Sequence, residues 1–286
     1  MRDTPSRTAL AVCFLRAADQ RRPAERRIVD DPFAERFLSP RWALALRAAR
    51  QAGRWGERLE AELGDGLATY VLARHRVMDD ALRAAAEGGL DQVLLLGAGY
   101  DTRPWRHADR LGDLPFVEID HPATAARRAE RIRAAGLHHP ARTLVPVDLA
   151  RSPLADALAD GGFRRGGLSF VVWEGVTMYL SRAAVRATLT ALAAACGPGS
   201  ELVLDLWTPP DGPSRRASWL RASPQLLHLW GEPITWGIHP DDLDAFAAPT
   251  GWRVLDRWEP AALAARYVAD GRRVYPAMAV ARLVRP

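Results

Sequence analysis

Between residues 92 and 207 the chain repeats one rhythm: a short, almost unbroken apolar run, a polar or glycine residue at its end, then a connecting stretch. Residues 93–96 run into Gly97-Ala98-Gly99. Residues 116–120 end at Asp120, 143–147 are followed by Asp148, 168–173 by Glu174, and 201–207 form a fifth run. Amphipathic helical spacing follows at 123–135 and 181–195. Strands apolar along their whole length, alternating with helices, predict a parallel sheet covered on both faces. In such a sheet ligands bind beyond the carboxyl ends of the strands, where the topology switches. Gly97, Asp120, Asp148 and Glu174 then line one crevice.

The flanks read differently. Residues 1–90 predict a helical layer, with helices at 8–18, 33–50 and 67–86, a turn at Asp31-Pro32, and Gly88-Gly89 as the stop of the third. After Trp207 the rhythm breaks into a proline-rich loop and an irregular, tryptophan-rich stretch to residue 238. A helix at 240–248 and strands at 252–256 and 278–284 complete the chain. The expectation is one 286-residue α/β domain around a doubly wound, mostly parallel seven-stranded Rossmann-like sheet. Its parts are a helical layer (1–90), a ligand-binding core (91–207), an inserted cap (208–238) and C-terminal strands (239–286).

Composition removes several chemistries. All 39 Lys-plus-Arg positions are arginine, so no Schiff-base, P-loop or kinase lysine is available. Cys13 and Cys196 form no CxxC, and neither HExxH nor GxSxG occurs, so no protein metal site is expected. The net charge of +5 comes from arginines spread through Ala-rich helices with acids nearby, a solvated exterior rather than a nucleic-acid surface. No apolar run approaches the ~18 residues of a membrane span, and Met1-Arg2-Asp3 opens no signal peptide, so a cytoplasmic protein with no membrane partner is expected.

The candidate site follows from the strand ends. Gly97 and Gly99 let backbone pass close to a ligand. A dinucleotide fingerprint would continue to a third glycine, where this chain has Thr102, and Asp101 brings a carboxylate that would repel a pyrophosphate. Asp120, 23 residues beyond Gly97, suits a ribose diol; capping the next helix is its structural alternative. Asp148 and Leu149 suit an adenine amine and ring face, and Glu174 places an acid beside Gly175, with capping or turn roles as the alternatives.

The blocks QVLLLGAGYDTRPWR, FVEIDHP, VPVDLA and VVWEGVTMYL, with SRTALAVCFLRAAD, DDPFAERFL and ARHRVMDDAL before them, resemble the successive motifs of the leucine carboxyl methyltransferase family. That family includes bacterial O-methyltransferases associated with polyketide pathways. The resemblance spans roughly residues 6–207 and implies a class I methyltransferase fold with S-adenosyl-L-methionine as cofactor. It implies that Arg74 holds the methionine carboxylate, aided by Arg7. Gly97, Ala98 and Gly99 then pass beneath that end, Asp120 binds the ribose, Asp148 and Leu149 bind adenine, and Glu174 faces the methionine amino group. On the bare sequence Arg74 reads as a surface helix arginine.

The implied reaction is O-methylation of a carboxylate or phenol on a small aromatic, polyketide-like acceptor. Trp207, Trp219, Trp230 and Trp236 offer flat apolar area for such a molecule, or pin the loop to the body. His228 and His239 stand near it, but no catalytic base is assigned and the oligomeric state is left open. Two other classes stay in play: a nicotinamide-dependent reductase, which Asp101 and Thr102 disfavour, and a non-catalytic cofactor-binding relative.

Overall fold

The structure, a computed structural model, describes residues 4–48, 66–149, 152–209 and 234–286. Seven strands build one sheet: β1 (Gln92–Leu96), β2 (Phe116–Asp120), β3 (Arg142–Pro146), β4 (Ser169–Trp173), β5 (Glu201–Trp207), β6 (Arg253–Trp258) and β7 (Met278–Val284). Their order is β3-β2-β1-β4-β5-β7-β6. β1 to β5 pair in parallel, and β7 runs antiparallel to both its neighbours. The chain winds outward from β1 to β3, then returns to place β4 on β1's other side. That reversal opens a crevice between the carboxyl ends of β1 and β4.

Strand periodicity divides the core. Val93 and Leu95 of β1 join Phe116, Phe170, Val172 and Val203 under the helix Leu67–Glu87. Leu94 and Leu96 join Val117, Ile119, Val171, Trp173 and Leu204 on the opposite face, beneath the helices Leu154–Asp160 and Arg182–Ala195. Successive side chains alternate faces, so a strand covered on both sides is apolar nearly throughout. β1 and β4 are buried along their whole length, and their one polar residue each, Gln92 and Ser169, bond to one another at 2.9 Å.

A third cluster belongs to the N-terminal layer. Cys13 and Ala17 of the helix Arg7–Asp19 pack with Phe37, Tyr100 and Trp105. Ser6 caps this helix by accepting from the Ala9 amide at 3.0 Å, while its own amide donates to Thr124 Oγ1. The layer is thereby tied to the helix Pro122–Ala134 that follows β2.

The single helix expected over 33–50 is corrected to two pieces, a 3-10 turn Ala34–Phe37 and a helical run at 40–48. Pro40 disfavours helical backbone at Ser39, and Ser39 Oγ caps the new start by accepting from the Trp42 amide. Upstream, Asp31 Oδ1 accepts from the Phe33 and Ala34 amides, an Asx turn at the expected Asp31-Pro32 position. The helix expected over 240–248 is likewise corrected, to a short α-helix Leu243–Ala247 flanked by 3-10 turns. The expected cap falls largely outside the described residues, but its flanks are placed. Thr235 N donates to Met178 O at 2.8 Å and Ile238 N to Trp207 O at 2.9 Å. The described residues 235–238 therefore lie beside the end of β5 and the turn that follows β4. Among the described residues no helix is long and apolar enough to cross a membrane.

Candidate cofactor-binding site

Strand β1 delivers the chain into a turn that needs glycine. The amides of Gly97 and Ala98 both donate to Ile119 O of β2, at 2.8 and 3.1 Å. This closeness forces positive φ at Gly97 (76°) and Gly99 (50°). A Cβ at Gly97 would also collide with Val176 Cγ2, so the position demands glycine on two counts. From behind, two buried arginines hold the turn: Arg128 donates to Gly99 O at 3.2 Å and Arg16 to Tyr100 O.

Asp120 closes the front. One carboxylate oxygen accepts from the Gly99 amide and the other from the His121 amide at 2.7 Å. Burial pushes its pKa from 3.8 up to about 6, against the opposing pull of those amides and of Arg128 and His121. Capping of the next helix falls instead to the His121 side chain, which accepts from the Ala123 amide at 3.4 Å. Asp148 lies two residues past the end of β3, with Oδ2 4.0 Å from His121 Nε2. Leu149 is partly buried against the core. Arg7 is exposed in the first turn of its helix, whose Ala9 approaches Gly99.

Arg74 is no surface residue. It is 4% exposed, and its guanidinium donates from Nε to Glu174 at 3.1 Å and from Nη1 to Asp205 at 2.6 Å. Its Nη2 makes no hydrogen bond among the described residues, which leaves donors for a ligand. Asp205, on β5, also accepts from the Gly175 amide at 2.6 Å and so fixes the turn after β4. Its pKa is raised by burial, partly offset by Arg74 and that amide.

Glu174 is the hub of a larger buried network. It accepts from Arg74, from His75 Nδ1 at 2.9 Å and from Arg103 Nη2 at 2.9 Å. Burial alone would raise its pKa; His75, Arg103 and Arg74 outweigh that and hold it well below the usual range. Arg103 also donates to Asp79 at 2.7 Å and pairs with Asp101, and Arg106 pairs with Asp79. The network sets the three guanidiniums of Arg74, Arg103 and Arg106 against the four carboxylates of Asp79, Asp101, Glu174 and Asp205.

Asp101 requires a correction. Its carboxylate is buried and bound by Arg103 through both the amide, at 2.7 Å, and the guanidinium. A charge neutralised in this way does not repel a pyrophosphate. Thr102 also turns inward, donating to Asp31 at 2.7 Å. What argues against a dinucleotide is therefore the missing third glycine alone.

His75, Arg103, Arg106 and Asp205 escaped the sequence reading, since nothing local marks them. Trp219, Trp230 and His228 lie outside the described residues. Trp207 stacks near Tyr275 (6.0 Å between centroids) and Trp236 near Phe246 (5.1 Å). His239 N-caps a 3-10 turn, its carbonyl accepting from the Asp242 amide.

The profile of the leucine carboxyl methyltransferase family matches residues 9–193. The chain belongs to this family. Its relatives include a Parafrankia protein named as an S-adenosyl-L-methionine-dependent methyltransferase, 36% identical over 70% of this chain and 62% of the relative. A Frankia alni protein of the same designation is 31% identical over 87% of this chain and 83% of its own length. Against three relatives from Parafrankia, Mycobacteroides abscessus and Streptomyces coelicolor, the match spans 62%, 64% and 65% of their lengths. A solved Thermobifida fusca structure named as a methyltransferase superposes with a TM-score of 0.61 at 18% identity, covering 99% of this chain and 96% of that one. The apo structure of the methyltransferase SibL gives 0.50 at 16% identity, over 77% and 56%. These two likenesses establish the shared fold. The methyl donor of the class is S-adenosyl-L-methionine.

Proposed function

We propose that this chain transfers the methyl group of S-adenosyl-L-methionine to a carboxylate or phenolic oxygen of a small aromatic, polyketide-like molecule. One observation carries the cofactor half of this reading. Asp120 holds the glycine turn after β1 from the front, on the sheet edge where the Arg74–Glu174 pair closes the turn after β4. A carboxylate for the ribose diol, a glycine turn admitting close approach, and an acid–base pair for an amino acid's two charged ends form a donor set that fits this cofactor. The excess of one buried carboxylate over the guanidiniums suits a ligand carrying a sulfonium cation.

In this reading Arg74 Nη2 binds the methionine carboxylate and Glu174 receives the amino group. Asp120 takes the ribose hydroxyls, and Asp148 and Leu149 take the adenine amine and face. Arg7 supplies a second contact to the carboxylate end. When bound, the cofactor supplies an electrophilic methyl on sulfur. The chain's part is alignment and exclusion of water, since in-line displacement needs no covalent help from protein. An acceptor carboxylate is already ionised at neutral pH and needs no base. The described residues 235–238, bonded to Met178 O and Trp207 O, lie close to the ends of β4 and β5 and support an acceptor site on that side.

The test is calorimetry with S-adenosyl-L-methionine, its demethylated product, NAD and NADP, followed by incubation with aromatic acids and phenols. The expected result is binding of the first two alone and a mass gain of one methylene unit on acceptor oxygen. Tight dinucleotide binding without a response to S-adenosyl-L-methionine would end the proposal.

A further inference from the structure

His75 is fully buried on the helix Leu67–Glu87, one residue beyond Arg74, and both its ring nitrogens are engaged. Nε2 lies 2.7 Å from Arg106 Nη2. A guanidinium only donates, so Nε2 must accept and carries no proton. Nδ1 lies 2.9 and 3.1 Å from the two oxygens of Glu174, which only accept. Nδ1 must then carry the proton. Arg103 Nη2 also stands 3.2 Å from Nδ1, but its hydrogens are directed to Glu174 at 2.9 Å and His75 O at 3.3 Å.

We propose that His75, locked by Arg106 as the neutral Nδ1–H tautomer, is a positioning residue that sets the orientation of Glu174 for the cofactor's amino group. This rests on the cofactor reading above. Arg106 is itself fixed by both oxygens of Asp79, at 3.0 Å for one of them, so the chain Asp79–Arg106–His75–Glu174 runs unbroken from the N-terminal layer to the strand end. With Arg74 and Arg103 as its other donors, the Glu174 carboxylate has no freedom to rotate. Its side chain nevertheless keeps 11% exposure, room for one further donor from a ligand.

The groups facing the imidazole agree with a neutral ring. Burial and the cations Arg103 and Arg16 lower its pKa, and Glu174 and Asp79 only partly oppose them. Arg106, at the closest distance of all, adds a further cation. An imidazolium would set an Nε2 proton against the Arg106 donors.

Two near-isosteric variants separate the two halves of the arrangement. Asn places an amide nitrogen near the Nδ1 position and retains the donor to Glu174. Gln places its amide near the Nε2 position, retaining the contact to Arg106 and losing that donor. The experiment measures the affinity for S-adenosyl-L-methionine of His75→Asn, His75→Gln and Glu174→Gln, with melting curves on each. It also records long-range 15N–1H correlations of the histidine rings in the wild-type protein, assigned by the signal His75→Gln removes.

The expected outcome is a neutral Nδ1–H ring from pH about 6 to about 8, and binding about tenfold weaker in His75→Gln than in His75→Asn. A role in packing alone predicts equal affinities, and that result overturns the proposal, as does an Nε2–H or doubly protonated ring. If Glu174→Gln binds the cofactor like wild type, the assignment of Glu174 fails while the tautomer measurement still judges His75. Should a variant not fold, the tautomer, and whether cofactor addition perturbs its Nδ1 signal, decides: an unperturbed signal counts against it.

Discussion

In the proposed site Asp120 and Arg74 each serve the fold, and the ligand roles proposed for them have consequences that can be measured. A ribose diol donates hydrogen bonds, so it prefers an ionised Asp120, yet burial pushes that group to about 6 in the ligand-free protein. Binding must then pull the pKa down and release a proton. Affinity should be full above pH about 7 and fall by about tenfold per unit below about 6. Calorimetry near pH 6 in buffers of different ionisation heat should detect the released proton. A dissociation constant unchanged across that range would remove Asp120 from the ribose. In a folded Asp120→Ala variant, loss of the charged acceptor should weaken binding tenfold or more, at ~1.5–3 kcal/mol per bond. Arg74 behaves differently, because it is structural before any ligand arrives. Arg74→Ala strands Glu174 and Asp205 in the interior, and breaking such a buried pair costs on the order of 3–5 kcal/mol. Thermal denaturation should show a large drop for Arg74→Ala and a smaller one for Arg74→Lys, which restores charge without the forked geometry. Arg74→Ala that melts and binds like wild type would sever the helix Leu67–Glu87 from the site.

The turn after β1 is the element on which the site depends most, and its glycine can be tested directly. Gly97→Ala meets two penalties, a left-handed φ of 76° and a collision with Val176. Together they should destabilise the protein by about 1–3 kcal/mol. Adding Val176→Ala should recover only the steric part, so the double variant melts between Gly97→Ala and Val176→Ala alone. Full recovery would mean that φ is not strained. The elements themselves were largely legible in the sequence, for a physical reason. The central strands are largely apolar runs bounded by polar or glycine residues, whereas the edge strand β6 alternates exposed and half-buried positions, and β7 matches its expected range of 278–284. Short helices such as Arg103–Arg106, Ala108–Leu111 and Leu154–Asp160 were not anticipated, because one or two turns carry too little periodicity. The strand-end acids were legible for the same reason as the strands. The network joining them was not: Asp79 and Arg103 are 24 residues apart, and Arg74 and Asp205 are 131. Only the sheet's winding brings such pairs together, and no local pattern records it.

Across the whole molecule, the family match spans residues 9–193, and the residues proposed to hold the cofactor lie in the same first two thirds of the chain. The proposed function leaves the choice of acceptor mainly to residues beyond Trp207. The same division holds in space. Arg74, Asp120 and Glu174 sit on the sheet, at its strand ends and on its covering helix, whereas Thr235 to Ile238 attach to the turn beyond β4, to Trp207 at the end of β5 and to Phe246. Changes in the second region should therefore act on the acceptor and spare the cofactor. Trp236 packs against Phe246, so Trp236→Ala should alter acceptor KM or kcat while leaving the S-adenosyl-L-methionine dissociation constant within about threefold. Trp219→Ala and Trp230→Ala should do the same if the tryptophans present a flat face to an aromatic ring. The pH profile then separates the two oxygen acceptors. A carboxylate with pKa near 4 is ionised throughout, so its turnover stays nearly flat from pH about 6 to about 8 once the cofactor is saturating. A phenol, with pKa ~10, becomes more reactive as pH rises through the same range. Saturating cofactor matters, because the Asp120 proton would otherwise impose its own slope near pH 6 on either acceptor. Product methylated mainly on nitrogen or carbon would defeat the oxygen assignment while leaving the cofactor site as described.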